Sequence, residues 1–231
     1  MLEVLEASGG YSGTPILRSV TLRVGHGETV ALLGRNGSGK TTALKYVMGL
    51  LDSTGGTVTL DRQPIPHVPE RRAHAGLGYV PQGRFVFPRL TSAENIAAAA
   101  IAHGRAPSQA LDESFELFPA LKRHAGSLAG QLSGGQQQML AIARAMATQP
   151  RVLVLDEPTE GVQPSIVDEL IEALRRLSAS GLAVLLAEQD LDVALELASR
   201  AYVMDRGAVE REAAGAELRR DRQALHDLLG V

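Results

Sequence analysis

Gly34-Arg35-Asn36-Gly37-Ser38-Gly39-Lys40-Thr41 fits the phosphate-binding pattern G-x-x-x-x-G-K-[ST] without a mismatch. Its setting agrees with the pattern: Glu28 to Leu33 reads as a buried strand before it, and Thr41 to Leu51 as a helix after it. Glycines let the backbone wrap closely around an anion, so that successive N–H groups and the positive end of the following helix face the phosphates. Gly34, Asn36, Gly37, Ser38, Gly39, Lys40, Thr41 and Thr42 are therefore candidate nucleotide contacts. Lys40 is expected on the β- and γ-phosphates, and the Thr41 hydroxyl on Mg²⁺. A chance glycine-rich turn is the bland alternative, and the flanking strand and helix argue against it.

Composition bounds the rest. The 231 residues are 45% hydrophobic, enough for a substantial core, and carry a formal net charge of −3. Lys and Arg are scattered rather than gathered in the basic stripe that neutralises nucleic-acid phosphates, so nucleic acid is not an expected partner. With no cysteine, disulfides and thiolate metal sites are excluded, and the six histidines show no ligand spacing. Acids near Met1 and the lack of an apolar run of about 18 residues predict a soluble cytoplasmic chain, which would act on a membrane through partner chains.

In chain order, strand-like pieces Leu2 to Ala7 and Leu17 to Val24 flank a turn-rich Ser8 to Pro15, in which Tyr11 is exposed. Tyr11 is either an ordinary surface residue or a stacking face for a base. Thr57 to Leu60 reads as a strand, Pro64 to Pro69 as a link, and Leu77 to Val80 as a strand whose exit carries Gln82. Sheets of this class place ligand contacts at such exits, and an amide oxygen can hold Mg²⁺ or water, although a solvated Gln reads equally well. Thr91 to Thr148 turns helical, with helices Glu94 to Ile101, Ser108 to Phe118 and Gly135 to Ala147. Phe85, Phe87, Phe115 and Phe118 all fall at the entry to this insert or within it. They either pack its core or, for Phe85 and Phe87, form an apolar groove for a partner's helix.

Leu132-Ser133-Gly134-Gly135-Gln136 opens the last of these helices with a good N-cap and two glycines, so it reads as a plain cap or as a second phosphate site. Val152-Leu153-Val154-Leu155-Asp156-Glu157 is an apolar run ending in two acids, the mark of a central parallel strand with its carboxyl end at the active edge. Asp156 is expected on Mg²⁺ and Glu157 on an attacking water, unless the acids only cap a helix. Helices Pro164 to Ala179 and Leu191 to Ser199 alternate with strands Leu182 to Ala187 and Ala201 to Met204, which predicts a parallel sheet. Gln189 follows a strand end, within reach of a γ-phosphate; Ala214 to Leu229 reads as a charged surface helix.

The phosphate loop, Gln82, Leu132 to Gln136 and Asp156-Glu157, in this order and at these separations, resemble the ATP-binding subunit of an ABC transporter over nearly the whole chain. The Ser-Gly-Gly-Gln element after a helical insert is the specific part. The resemblance implies an α/β phosphate-loop NTPase with a mostly parallel core sheet, N-terminal antiparallel strands and an inserted helical lobe. In residues 1–231 it implies one ATPase domain, with 1–84 and 150–231 as core and 85–149 as lobe. It further implies ATP sandwiched head to tail between two subunits, one phosphate loop facing the other's signature. Tyr11 would then stack on adenine, with Lys40 and Thr41 on phosphates and Mg²⁺, and Gln82 sensing the γ-phosphate and Mg²⁺. Ser133, Gly134, Gly135 and Gln136 would meet the partner's ATP, while Asp156 and Glu157 handle metal and water. Glu157, Gln189 and Lys40 are the expected catalytic residues.

Finer stretches, Pro81 to Arg84 with Phe87 to Thr91, and Glu157 to Ser165, resemble an ATPase of the branched-chain amino acid and urea importers. The second stretch, with Glu116 to Pro119 and Gln136 to Gln138, is closer to the urea member. The resemblance implies membrane-spanning permease subunits, a second ABC ATPase subunit, and indirectly a periplasmic solute-binding protein, with this chain peripheral on the cytoplasmic face. Two departures from the general pattern stand out: Gln163 replaces an Asp, and Gln189 replaces the switch His, a Gln being unable to titrate or carry positive charge. The alternatives are a soluble ABC ATPase without transport, and a clamp that binds ATP without hydrolysing it.

Overall fold

The computed structural model describes residues 1–220. The chain begins with a hairpin of β1 (Leu2–Tyr11) and β2 (Thr14–Val24), then β3 (Thr29–Leu33) leads through the phosphate loop into α1 (Lys40–Val47). β4 (Asp52–Leu60), β5 (Gln63–Pro64), α2 (Pro69–His74) and β6 (Leu77–Val80) follow. The helical insert contains α3 (Ser92–Ala102), α4 (Pro107–Leu117), α5 (Pro119–Lys122) and α6 (Gly134–Met146). β7 (Val152–Asp156), α7 (Pro164–Ala179), β8 (Ala183–Glu188), α8 (Leu191–Leu197), β9 (Arg200–Asp205), β10 (Ala208–Ala214) and α9 (Gly215–Arg220) complete the described chain.

Two sheets result. β2-β1-β4-β5 is antiparallel, and β10-β9-β3-β8-β7-β6 is parallel except for β10. Every residue of β3, β7 and β8 is buried, because the parallel sheet is covered on both faces and its strands have no solvent side. One face packs with α1 against the antiparallel sheet, through Leu32, Leu44, Val154 and Leu185 among others. The other face packs α7 and the insert, through Leu153, Leu155, Leu170, Ile96, Phe118 and Ile142. β3 thus ends in the middle of the molecule, beside β8, with β7 next to that, and the carboxyl ends of all three meet on one edge.

Local sequence accounts for the boundaries. α3 and α6 each open with a capping box, Thr91 with Glu94 and Ser133 with Gln136. Pro69, Pro107, Pro119 and Pro164 start their helices, where a missing N–H costs nothing. α1 stops at Val47, short of the expected Leu51, because Gly49 turns the backbone at φ 72°.

Several expectations are corrected. Ser8 to Pro15 is not a loop: β1 and β2 run through it and turn only at Ser12-Gly13. A Cβ on Gly9 or Gly10 would collide with the backbone of Asp52 or Thr14, so these glycines serve close strand approach rather than a turn. Within Pro64 to Pro69, read as a link, Gln63–Pro64 pairs with β4 and Pro69 opens α2. Ala208–Ala214 is a strand on the sheet edge and Gly215–Arg220 a short helix; the remainder of the expected tail helix lies outside the described residues. The four phenylalanines divide: Phe118 is buried and Phe115 partly so, whereas Phe85 and Phe87 are 67% and 50% exposed.

Candidate functional site

The loop leaves β3 at Gly34 and becomes helical at Lys40. Gly39, at the N-cap of α1, holds φ 106°, a conformation that side chains resist, and supplies no side-chain cap. The first N–H groups of α1 therefore face outward as donors beside the positive end of the helix. Lys40 folds back over this loop, donating to the Gly34 carbonyl at 2.7 Å and approaching Glu157 Oε1 at 3.6 Å. Ser38 Oγ is buried and has no hydrogen-bond partner among the described residues, an orphan hydroxyl in the phosphate loop. The hairpin turn between β9 and β10 supports the loop from behind, where Gly207 N–H donates to the Ser38 carbonyl at 2.8 Å.

Asn36 to Thr42 line a cleft of about 330 Å³ that also takes in Tyr11, Ile16, Gln82 and Glu157; Gly34 lies outside its lining. Tyr11 sits half-exposed at the rim, and Lys45 Nζ lies 5.6 Å from its ring centroid. Behind the lining, Thr41 Oγ1 donates to the buried Asp156 Oδ1 at 3.0 Å, and Tyr79 O–H reaches Asp156 Oδ2 at 3.4 Å. Burial pushes the Asp156 carboxyl up from its usual range; the bond from Thr41 opposes that and the charge of Glu157 adds to it.

Glu157, at φ 47°, turns away from the strand while its N–H stays tied to the Ala187 carbonyl at 2.9 Å. Three donors converge on its carboxylate. Besides Lys40, Gln189 Nε2 donates to Oε1 at 2.8 Å and Gln82 Nε2 to Oε2 at 3.0 Å. Residues 82, 157 and 189, far apart in sequence, are thus joined by hydrogen bonds at the mouth of the parallel sheet, and Lys40 joins them through its ion pair with Glu157.

The family model described as ABC transporter matches residues 17–160, a stretch that runs from β2 through the phosphate loop and the insert to just beyond Glu157. The chain belongs to the ABC transporter ATP-binding family. It is similar to the high-affinity branched-chain amino acid transport ATP-binding protein BraG of Pseudomonas aeruginosa, 37% identical over 94% of this chain and 94% of BraG. It is also similar to the lipopolysaccharide export ATP-binding protein LptB of Escherichia coli K12, 33% identical over 95% of this chain and 93% of LptB. Among solved structures, a dimeric ATP-binding cassette in a post-hydrolysis state with ADP and phosphate superposes with a TM-score of 0.83 at 28% identity, over 93% of this chain and 98% of that one. The chain is accordingly an ATP-binding ATPase cassette.

In this ABC cassette the second glycine-rich motif lies outside the cleft lining. Ser133 Oγ accepts from Gln136 N–H at 3.3 Å, and the Gln136 side chain reaches back to Ser133 N–H at 3.0 Å, so both are committed to capping α6. A Cβ on Gly135 would come within 2.7 Å of Ile166, and one on Gly134 within 2.7 Å of the Arg84 guanidinium. Ser133, Gly134, Gly135 and Gln136 therefore form a separate edge, not part of their own chain's phosphate site.

Several residues escaped the sequence reading. Glu160 and Arg84 bracket the loop after Glu157: Gln82 Nε2 donates to Glu160 Oε2 at 2.8 Å, and Arg84 Nη2 to the carbonyls of Glu160 at 3.3 Å and Gly161 at 3.2 Å. Glu188 is buried, its carboxyl pushed up by that burial, and it accepts from Thr159 Oγ1 at 2.7 Å and Gln189 N–H at 3.1 Å. An acid ending an apolar strand was the signal available for Glu188. For Arg84 and Glu160 no local pattern existed, since their partners are 76 and 78 residues away.

Proposed function

We propose that this chain is the ATP-hydrolysing subunit of an importer that takes up a small polar solute, urea or a branched-chain amino acid. The convergence of Lys40, Gln82 and Gln189 on Glu157 carries the enzymatic part: an acid so placed can take a proton from water once Lys40 and Gln189 turn to other acceptors, as phosphates would offer. Tyr11 would stack on the adenine. The N–H groups of residues 34–42, with Lys40 and the orphan Ser38 hydroxyl, would hold the phosphates. Thr41, Gln82 and Asp156 offer an all-oxygen donor set suited to Mg²⁺, which when bound would neutralise phosphate charge. Glu157 would then act on water, Gln189 would orient Glu157 or the γ-phosphate, and Ser133, Gly134, Gly135 and Gln136 would meet ATP held by a second ATPase subunit.

No helix among the described residues is long and apolar enough to cross a membrane. Membrane work would therefore fall to permease subunits, with this chain peripheral on the cytoplasmic face and a solute-binding protein acting only indirectly. Permease docking fits the groove of about 360 Å³ between insert and core, lined by Met48, Leu77, Tyr79, Phe87, Ala99 and Arg144. Residues 1–84 and 150–231 as ATPase core, and 85–149 as the lobe that meets the permease, would match this division of labour.

The likeness to BraG supports an amino-acid solute, and the stretches Glu116 to Pro119, Gln136 to Gln138 and Glu157 to Ser165 support urea. The likeness to LptB favours a second reading, lipopolysaccharide export. Uptake of labelled urea and labelled leucine, measured in cells deleted for this gene and restored with wild type or Glu157→Gln, tests all three. Loss of one solute's uptake, rescued by wild type alone, assigns the solute; loss of neither overturns import.

A further inference from the structure

We propose that Glu160 is a positioning residue that fixes the side-chain amide of Gln82 with its oxygen toward the cleft; the proposal rests on the reading of that cleft as a Mg²⁺–ATP site. Gln82 Nε2 has two hydrogens, and both are used: one goes to Glu157 Oε2 at 3.0 Å, the other to Glu160 Oε2 at 2.8 Å. Ionised carboxylates only accept, so two of them around one end of an amide dictate that this end is NH₂. The oxygen is then the end left for the cleft that Gln82 lines, and oxygen is the end that can hold a hard cation.

The two anchors are not equivalent. Glu157 is shared, its other oxygen accepting from Gln189 at 2.8 Å and facing Lys40 at 3.6 Å. Glu160 Oε2 makes the shorter of the two bonds to the amide, 2.8 Å against 3.0 Å. Its own position is fixed by its surroundings: Glu160 N–H donates to the Glu157 carbonyl at 3.2 Å, while Arg84 grips the carbonyls of Glu160 and Gly161 from the other side. Arg84 stands two residues after Gln82, so one short loop both presents the amide and clamps the residue that orients it.

The test uses Mn²⁺ as a paramagnetic substitute for Mg²⁺. Mn²⁺ affinity of the full chain with a non-hydrolysable ATP analogue is read by electron paramagnetic resonance, for wild type, Glu160→Ala and Glu160→Gln, and analogue affinity is measured separately in chelator. Glu160→Ala is expected to weaken Mn²⁺ binding about tenfold, the low end for loss of a residue supporting a metal ligand. Glu160→Gln, whose oxygen still accepts from Gln82, is expected to retain most of it, with metal-free analogue affinity the same in all three. Unchanged Mn²⁺ affinity in Glu160→Ala, or an equal loss in both variants, overturns the proposal while leaving the site reading intact. Wild type that takes up no Mn²⁺ with the analogue overturns the site reading, and the role of Glu160 with it.

Discussion

Lys40 Nζ lies 3.6 Å from Glu157 Oε1, and both side chains are buried, 4% and 7% exposed. The phosphate-loop lysine thus forms an ion pair with the acid expected to activate water. A buried charge that loses its partner is costly, so the pair ties the resting stability of the site to the group that must later be freed.

Glu157→Gln should lower steady-state ATP hydrolysis in the assembled complex by about 100-fold or more, the scale of a lost general base, while ATP binding survives. Without nucleotide the variant should melt below wild type, because Lys40 keeps only carbonyl partners. Saturating ATP should close that gap, since phosphates then receive the lysine. Paired melting scans with and without ATP check this, and a gap that persists with ATP would mean that Lys40 does not move to the phosphates.

Gln189 donates to Glu157 Oε1 at 2.8 Å, a bond that a neutral His could also make. His can in addition carry positive charge near a developing negative one. Gln189→His is expected to raise turnover modestly and leave the ATP concentration dependence alone. A strong loss would show that the amide has a role imidazole cannot fill.

Asp156 and stability follow from linkage. Its folded-state pKa is raised by burial, so on raising the pH the unfolded chain ionises first. The stability contributed by the protonated acid is complete below the ordinary Asp value of about 3.9 and is lost as pH rises through the higher folded value. Asp156→Asn, which still accepts from Thr41, should match wild type in acid and melt higher near neutrality, each 1 kcal/mol being about 2–4 °C for a chain of this size. Metal-dependent hydrolysis should be lost in the same variant. Melting temperatures across that pH range, without nucleotide, decide the sign.

Phe87 and Phe118 should behave oppositely. Phe118 is 2% exposed within the insert's core, and its replacement by Ser should cost at least the 3–5 kcal/mol typical of a large aromatic truncation. Phe87 is half-exposed over the groove, with the Arg144 guanidinium 4.8 Å from its ring centroid. Phe87→Ser is expected to leave the melting temperature nearly unchanged and to weaken co-purification with the permease subunits. A large stability loss at Phe87 would remove the docking role.

What could be read in advance was local. The phosphate loop, the apolar strand ending in Asp156-Glu157 and the Ser133 cap each need only neighbours within a few residues, and each lies where the sequence puts it. The errors have one physical source. Ala208–Ala214 carries three consecutive charges and no clear element signal of its own, and pairing with β9 across the tight turn at Arg206-Gly207 makes it a strand. Gly9 and Gly10 read as turn residues because close approach to another strand is invisible in one dimension.

The sequence by itself determined the family, the phosphate loop and the identity of the acids, because backbone conformation at glycines and the burial of an all-apolar strand are decided by short-range sterics and hydrophobicity. Only the tertiary structure decided that Lys40, Gln82 and Gln189 share one carboxylate, that Glu160 holds the amide of Gln82, and that Ser133 to Gln136 stand apart from the cleft. Hydrogen bonds act over about 3 Å, and which side chains come that close depends on how strands from distant parts of the chain are ordered in the sheet.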